Sequence, residues 1–302
     1  MTQPKRRRRC QLAVPGSQAD LIAKAAASEA DHVFIDLEDA VAPSAKVGAR
    51  KIVIDALNNL DWGSKVRCYR INDLRTHWCY ADIVEVVKGA GENIDTIMIP
   101  KAMDRRDIFF VSTLLDQLEA ELGLTKRIGL EVLIEETEGL QNVEEICAAS
   151  PRMECVVFGL GDYAASQKIE PLSVSGITDY PGDQWHYARF RITMAASTYG
   201  LDAVDGPYAN LANLDGYKEE CKRSMTLGMA GKWALSPKQI PTAIEVFSPN
   251  SVQVTTARFM KAEYEKAQAE GLGSIKVEGM MVDAATIRLV QNILDKADLM
   301  GL

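Results

Sequence analysis

Short apolar runs alternate with longer amphipathic stretches along this chain. The runs that read as strands are Cys10–Gly16, His32–Asp39, Lys65–Asn72, Thr96–Ala102, Ile128–Glu136, Glu154–Asp162, Leu201–Pro207 and Lys232–Pro237. Between them, apolar residues at helical spacing mark Gln18–Ser28, Ile83–Ala90, Asp107–Leu122, Val143–Ala149, Ala188–Tyr199 and Tyr217–Leu227. Strands alternating with helical patterns predict parallel βαβ units, and eight such units close into a (β/α)₈ TIM barrel, an α/β fold. A doubly wound open sheet is the structural rival, since periodicity does not separate open from closed sheets. Past Phe247, Ser248-Pro249-Asn250 marks a boundary, followed by a predicted helix over Ser251–Glu270, a hairpin over Ser274–Val282 turning at Glu278-Gly279, and a helix from Asp283 to Leu299. The expected organisation is a barrel over residues 1–247 and a C-terminal lid over 248–302. The lid is too small to fold alone, so it is expected to pack on the barrel or on a neighbouring subunit.

Several strand-like runs end in polar residues: Asp36, Glu38 and Asp39; Arg70 and Asn72; Lys101; Glu135; Asp162. In an α/β barrel the C-terminal strand ends surround the mouth that carries the chemistry. Acids gathered there repel one another unless a cation neutralises them. Glu135 and Asp162 end the fifth and sixth runs, and two carboxylates with waters and substrate oxygens make a common Mg²⁺ shell. The alternative is a pair of acids bridged to barrel lysines. His32, His77 and His186 are far apart in sequence, which argues against zinc or non-haem iron. Arg70 places a permanent positive charge at the same mouth, for a substrate carboxylate, a developing oxyanion or an internal partner such as Asp36 or Asp39.

Two further features have competing readings. Gly159-Leu-Gly161-Asp-Tyr-Ala164 matches a G-x-G-x-x-A dinucleotide fingerprint. An aspartate after the second glycine would repel a pyrophosphate, so the glycines read instead as room for a ligand beside Asp162. Asp283 reads as the N-cap of the last helix.

Composition narrows the partners. The chain has 302 residues, 47% hydrophobic and 25% charged, with a net charge of −8, which argues against nucleic-acid binding. The run Lys5-Arg6-Arg7-Arg8-Arg9 is expected to be a solvated arm. No apolar run nears the roughly 20 residues that span a bilayer, so no membrane role is expected. The short stretch after the basic run ends at Pro15-Gly16, which does not make a secretory signal. Six cysteines show no C-x-x-C pair, which fits neither a disulfide framework nor a zinc knuckle and suggests the reducing cytoplasm.

Several of these residues also carry a family likeness. Leu12-Ala-Val-Pro-Gly-Ser17, Asp36-Leu-Glu-Asp-Ala-Val41, Arg70-Ile-Asn72, Ile99-Pro-Lys101, Leu133-Ile-Glu135, Asp205-Gly-Pro207 and Gly231-Lys-Trp-Ala234 resemble the HpcH/HpaI aldolase and citrate lyase β-subunit-like superfamily. Leu60-Asp-Trp-Gly63, Gly161-Asp-Tyr-Ala-Ala-Ser166, Val246-Phe-Ser-Pro249 and Val282-Asp-Ala284 look most like malyl-CoA lyases within it. The resemblance implies a barrel with a C-terminal lid, assembled as trimers or hexamers. It implies Mg²⁺, with Mn²⁺ as an alternative, bound by Glu135 and Asp162. Arg70 would stabilise the enolate of an acyl-CoA thioester, and Asp283 would be the general acid/base, delivered from a neighbouring subunit. This reverses the plain cap reading of Asp283, although the two roles can coexist.

The implied reaction is reversible cleavage of L-malyl-CoA or β-methylmalyl-CoA to glyoxylate and acetyl-CoA or propionyl-CoA. Hydrolysis of malyl-CoA and cleavage of citramalyl-CoA to pyruvate and acetyl-CoA are the alternatives, and a non-catalytic CoA- or acid-binding regulator is a third. Glu38, Asp39 and Gly161 join Arg70 and Asp162 as substrate candidates. Arg9, Ser17, Lys101, Trp233, Ala234 and Pro237 are positional candidates for CoA contacts. The chain departs from the family where it has Gln18-Ala19 in place of an arginine, Ser236 in place of a histidine, and a different segment from Gln167 to Gln184 containing Ser175-Gly176-Ile177.

Overall fold

A computed structural model of the chain describes residues 4–170 and 182–302. The chain divides into two compact units, one essentially residues 8–245 and one residues 246–302 with Lys5–Arg7. In the first, β1 (Cys10–Pro15), β2 (His32–Asp36), β3 (Val66–Arg70), β4 (Thr96–Ile99), β5 (Gly129–Ile134), β6 (Met153–Phe158), β7 (Asp202–Asp205) and β8 (Gly231–Ala234) form a closed barrel in that order. All the pairings are parallel, and β1 closes onto β8 with Leu12 opposite Ala234. The eight predicted strands are present and the open sheet is excluded.

Each predicted strand runs two to four residues too far at its C-terminal end, except the first. After β2, β3 and β4 the cause is competition for backbone N–H groups. Asp36 carboxylate oxygens accept from the amides of Glu38 (2.9 Å) and Ala40 (3.0 Å), Asp82 accepts from Asn72 N (2.9 Å), and Glu135 from Lys101 N (2.9 Å). An amide bonded to a side chain cannot join the ladder, so the sheet stops and a loop begins.

Side chains alternate between the barrel interior and the surrounding helices, which puts every second residue in one layer of the interior. The middle layer is apolar: Phe34, Cys68, Met98, Leu133, Cys155, Val157, Val204 and Trp233 are buried together. Below it, near the N-terminal strand ends, lies a buried polar plug. Glu131 accepts from Arg8 Nε (3.2 Å), Gln11 Nε2 (3.1 Å) and Thr96 Oγ1 (3.1 Å), and lies 3.0 Å from His32 Nε2. Arg8 also bridges Glu154 at 2.7 Å and Asp202 at 2.9 Å. The basic run is therefore not wholly a solvated arm. Arg8 is buried because three carboxylates from β5, β6 and β7 converge on its guanidinium.

The second unit holds the helix Ser251–Ala269, the hairpin of β9 (Ser274–Val277) and β10 (Met280–Asp283), and the helix Ala284–Met300. Asn250 and Gln253 form a capping box at the first helix. Glu278 and Gly279 both take positive φ, 47° and 88°, as a two-residue type I′ hairpin turn requires. Met260, Tyr264, Val277, Val282, Val290 and Leu294 form the core of this unit. No helix among the described residues is long and apolar enough to cross a membrane.

Candidate active site

The polar layer above the apolar one gathers most of the predicted site residues. β2 and β3 pair with Asp36 opposite Arg70, so both side chains enter the barrel at the same level. Arg70 Nε and one terminal nitrogen grip the two Asp36 oxygens at 2.7 and 2.6 Å, a bidentate fork. Its other terminal nitrogen lies 2.9 Å from Glu38 Oε2. The guanidinium sits 5.9 Å from the centroid of Trp233 below it, within cation–π range. Burial opposes the Arg70 charge, but Asp36, Glu38 and Glu135 more than offset that, and its pKa is raised. Burial would likewise raise Asp36, yet Arg70 and the two loop amides hold its carboxyl below the usual range.

Glu38 and Asp39 stand on the loop after β2. Lys101 Nζ reaches Glu38 at 2.6 Å and the more exposed Asp39 at 3.2 Å. Lys101 adopts a left-handed backbone, φ 49°, which lets its amide point at Glu135 while its side chain turns back to the β2 loop. Lys46 was not foreseen. Its buried ammonium donates to the carbonyls of Leu37 (3.0 Å) and Glu38 (2.7 Å) and to Asn72 Oδ1 (2.5 Å). Those bonds fix the loop that carries Glu38. A lysine in the first turn of a helix gives no sequence signal of this role.

Glu135 is the anomaly of the cluster. It follows β5, it is buried, and among the described residues it makes no ion pair; its described hydrogen bond comes from the Lys101 amide at 2.9 Å. Burial, with the charges of Glu38 and Asp162 adding to it, pushes its carboxyl up to about 8 against the pull of Arg70 and the Lys101 amide. Asp162 is not on a strand. It lies in the first turn of the helix Leu160–Ser166, half-buried. Gly159 makes the approach of the two acids possible: a Cβ there would lie 2.5 Å from Glu135 Cβ and from its Oε2. The predicted need for glycine thus belongs to Gly159, and the room is filled by Glu135. A Cβ at Gly161 would meet nothing within 4 Å.

The remaining candidates separate. Ser17 and Pro237 follow the C-terminal ends of β1 and β8. Trp233 is buried in the apolar layer, where it packs on Phe34 and donates from Nε1 to Gln11 at 2.8 Å, and Ala234 is buried beside it. Neither presents a surface to CoA. Arg9 precedes β1, at the opposite end of the barrel from Arg70, where it pairs with Asp31 at 2.7 Å. The segment holding Ser175-Gly176-Ile177 lies outside the described residues. Asp283 caps the helix Ala284–Met300, accepting from Thr286 N at 2.9 Å and Thr286 Oγ1 at 3.1 Å. Its carboxyl is lowered, first by that backbone bond.

One other grouping has metal-like spacing. His32, Cys68 and Glu131 bring ligand atoms within 4.8 Å of one another. Arg8, Gln11 and Thr96 already donate to Glu131, and burial pushes the Cys68 thiol up, so this is a hydrogen-bonded plug.

Residues 9–237 match the family model of HpcH/HpaI aldolase/citrate lyase. The chain belongs to that family. Among family relatives, the L-malyl-CoA/β-methylmalyl-CoA lyase of Rhodobacter capsulatus is 42% identical over 98% of this chain and 96% of its own length. A (3S)-malyl-CoA thioesterase of Cereibacter sphaeroides is 31% identical over 95% of this chain and 93% of its own. The protein CitE of Mycobacterium tuberculosis, solved with magnesium, acetoacetate and coenzyme A, superposes with a TM-score of 0.75 at 25% identity, covering 96% of this chain and 97% of that one.

Proposed function

We propose that this chain is a Mg²⁺-dependent carbon–carbon lyase that reversibly cleaves L-malyl-CoA or β-methylmalyl-CoA to glyoxylate and acetyl-CoA or propionyl-CoA. Glu135 carries the reading. At a mouth where Asp36 and Glu38 face cationic side chains, it is a buried carboxyl beside Asp162 with no described ion pair. The 42% identity to the Rhodobacter lyase supports the reaction class, and the magnesium and coenzyme A of the Mycobacterium structure support the cofactor and thioester.

Glu135 and Asp162 would hold the metal. Both are hard oxygen donors that suit Mg²⁺ and Mn²⁺ alike. When bound, the metal supplies Lewis acidity and orientation at the oxygens of the glyoxylate portion. In cleavage the C3 hydroxyl gives its proton to water, its oxygen becomes the aldehyde carbonyl of glyoxylate as the C2–C3 bond breaks, and the electron pair of that bond passes into the thioester as an enolate. Arg70 spends two N–H groups on Asp36 and sets its other terminal nitrogen beside Glu38, and the N–H groups left on its terminal nitrogens would serve that enolate oxygen. Asp283, supplied by a neighbouring subunit in a trimer or hexamer, protonates C2 and reverses the transfer in synthesis. Glu38, Asp39 and Gly161 border the substrate, while Ser17, Lys101 and Pro237 remain the CoA candidates. The cytoplasm is the proposed location, in keeping with six free, buried cysteines.

The test is product identification with malyl-CoA and citramalyl-CoA in the presence of Mg²⁺. Glyoxylate with acetyl-CoA is the expected result. Malate with free CoA would make the chain a thioesterase, the activity named for the 31% identical relative. Pyruvate with acetyl-CoA would make it a citramalyl-CoA lyase, and no turnover of either thioester overturns the enzymatic reading.

A further inference from the structure

The two proposed metal carboxylates reach the mouth on different elements. Glu135 stands on the loop between β5 and the helix Thr137–Gln141, and Asp162 on the helix Leu160–Ser166 that follows β6. Strand pairing aligns β5 with β6 only as far as Ile134 opposite Phe158. Beyond that point the sheet ladder no longer sets the distance between the acids. Mg²⁺ tolerates little departure from its preferred geometry, so something else must hold the two loops in register.

One described pair of side chains joins them. Ser166 Oγ accepts from the Thr137 amide at 3.0 Å and lies 3.2 Å from Thr137 Oγ1. Thr137 is two residues beyond Glu135. Ser166 is four residues beyond Asp162 on the same helix, one turn away and on the same face. The helix has just seven residues, so a bond at its last turn constrains its first. Its other side is already fixed, because Tyr163 packs edge-on against Phe158 at 5.3 Å and Trp185 at 6.2 Å. The serine closes the Gly161–Ser166 motif, and the reaction chemistry gives it no other task.

We infer that Ser166 and Thr137 form a clasp that sets the separation of Glu135 and Asp162, making Ser166 a positioning residue for the divalent cation. The inference rests on the metal reading above. Residues that orient metal ligands contribute 10–100-fold to affinity in other sites.

The experiment measures Mn²⁺ and Mg²⁺ binding to the full-length apo-protein by titration calorimetry, alongside thermal melting. Ser166→Ala should weaken binding roughly tenfold, while Ser166→Thr, which keeps the hydroxyl, should bind like wild type. Unchanged affinity in Ser166→Ala overturns the clasp, as does an equal loss in both variants. Should Ser166→Ala fail to fold, Ser166→Cys, whose sulfur is a weak acceptor, carries the same test against the Thr137 amide: weaker binding supports the clasp and wild-type affinity overturns it. Asp162→Ala is the control for the underlying reading. If that variant binds metal normally the metal site itself is wrong, whereas loss in Asp162→Ala with none in Ser166→Ala removes only the clasp.

Discussion

Within the polar layer, most of the carboxylates face a cationic side chain among the described residues. Asp36 is matched by Arg70 and Glu38 by Lys101 together with Arg70, each within 3 Å. Among the described residues Glu135 and Asp162 have no matching cation, and a buried carboxyl without one shifts towards its neutral form. A divalent ion would reverse that shift. Gly159 is where this can be probed without touching a charge. Alanine there would put a methyl group 2.5 Å from Glu135 Oε2, so Glu135 must move or the strand end must shift. We expect Gly159→Ala to lose most Mg²⁺ affinity and to cost about 1–3 kcal/mol of stability, the usual range for overpacking. Calorimetry and denaturant unfolding measure the two effects. A variant that binds Mg²⁺ like wild type would show that the Glu135 position is not tied to the metal.

Strands and helices follow a rule that was largely readable in advance. His32, Phe34 and Asp36 on β2, and Glu131, Leu133 and Glu135 running from β5 into its loop, each read polar, apolar, polar at every second position. The chain thereby builds a plug, a core and a site in three interior layers. The number and order of the strands were legible because each apolar run is bounded by a helical pattern. Their C-terminal ends were not, because carboxylates from the same strand, from a helix or from just past the next strand take amides there. The identities of Arg70, Glu135 and Asp162 were legible as polar residues closing apolar runs. Gly159 and the Thr137–Ser166 pair were not, since their partners lie on other elements far along the chain, and neither was Lys46, whose contacts on the β2 loop and with Asn72 exist only once the barrel has closed. Trp233 was misplaced for the same reason: a tryptophan near a strand end looks like a ligand platform until the barrel closes around it.

Seams between elements also set how the fold responds to acid. Asp95, just before β4, accepts from Arg67 N (2.9 Å), Arg67 Nε (3.0 Å) and Lys126 Nζ (3.0 Å). Burial alone would raise its pKa, but Arg67 and Lys126 hold it at about 2 instead of the ordinary 3.8. A carboxyl depressed by folding stabilises the native state above its unfolded pKa, and the contribution disappears as pH falls from about 4 to 2. Asp95→Asn should therefore cost about 2 kcal/mol near neutral pH and converge on wild type at the acid end of that window. Urea titrations at pH 7 and pH 2.5 read the difference, and an equal gap at both values would mean the carboxylate charge is not what matters.

At the scale of the whole molecule, the proposed chemistry is split between two compact units. Arg70, Glu135 and Asp162 belong to the barrel, and Asp283 belongs to the C-terminal unit, where it caps its own helix. That unit shows exposed apolar side chains, Met280, Met281 and Leu289. If Asp283 acts on a neighbour's barrel, two inactive variants should rescue each other. Arg70→Lys damages only the barrel half of a site, because an ammonium cannot reproduce the fork on Asp36. Asp283→Asn damages only the other half and should keep metal and CoA binding. In homo-oligomers each variant alone should turn over poorly, Arg70→Lys by a factor on the order of 10²–10³. In mixed oligomers formed by co-expression at equal ratio, the barrel of an Asp283→Asn chain meets an intact Asp283 whenever its neighbour is the Arg70→Lys chain. Random assembly makes about a quarter of the sites whole, and recovery should approach that fraction of wild-type activity. A chain using its own Asp283 has no such combination. Mixed oligomers of confirmed composition that stay as inactive as their parents would place Asp283 within its own subunit or outside the reaction.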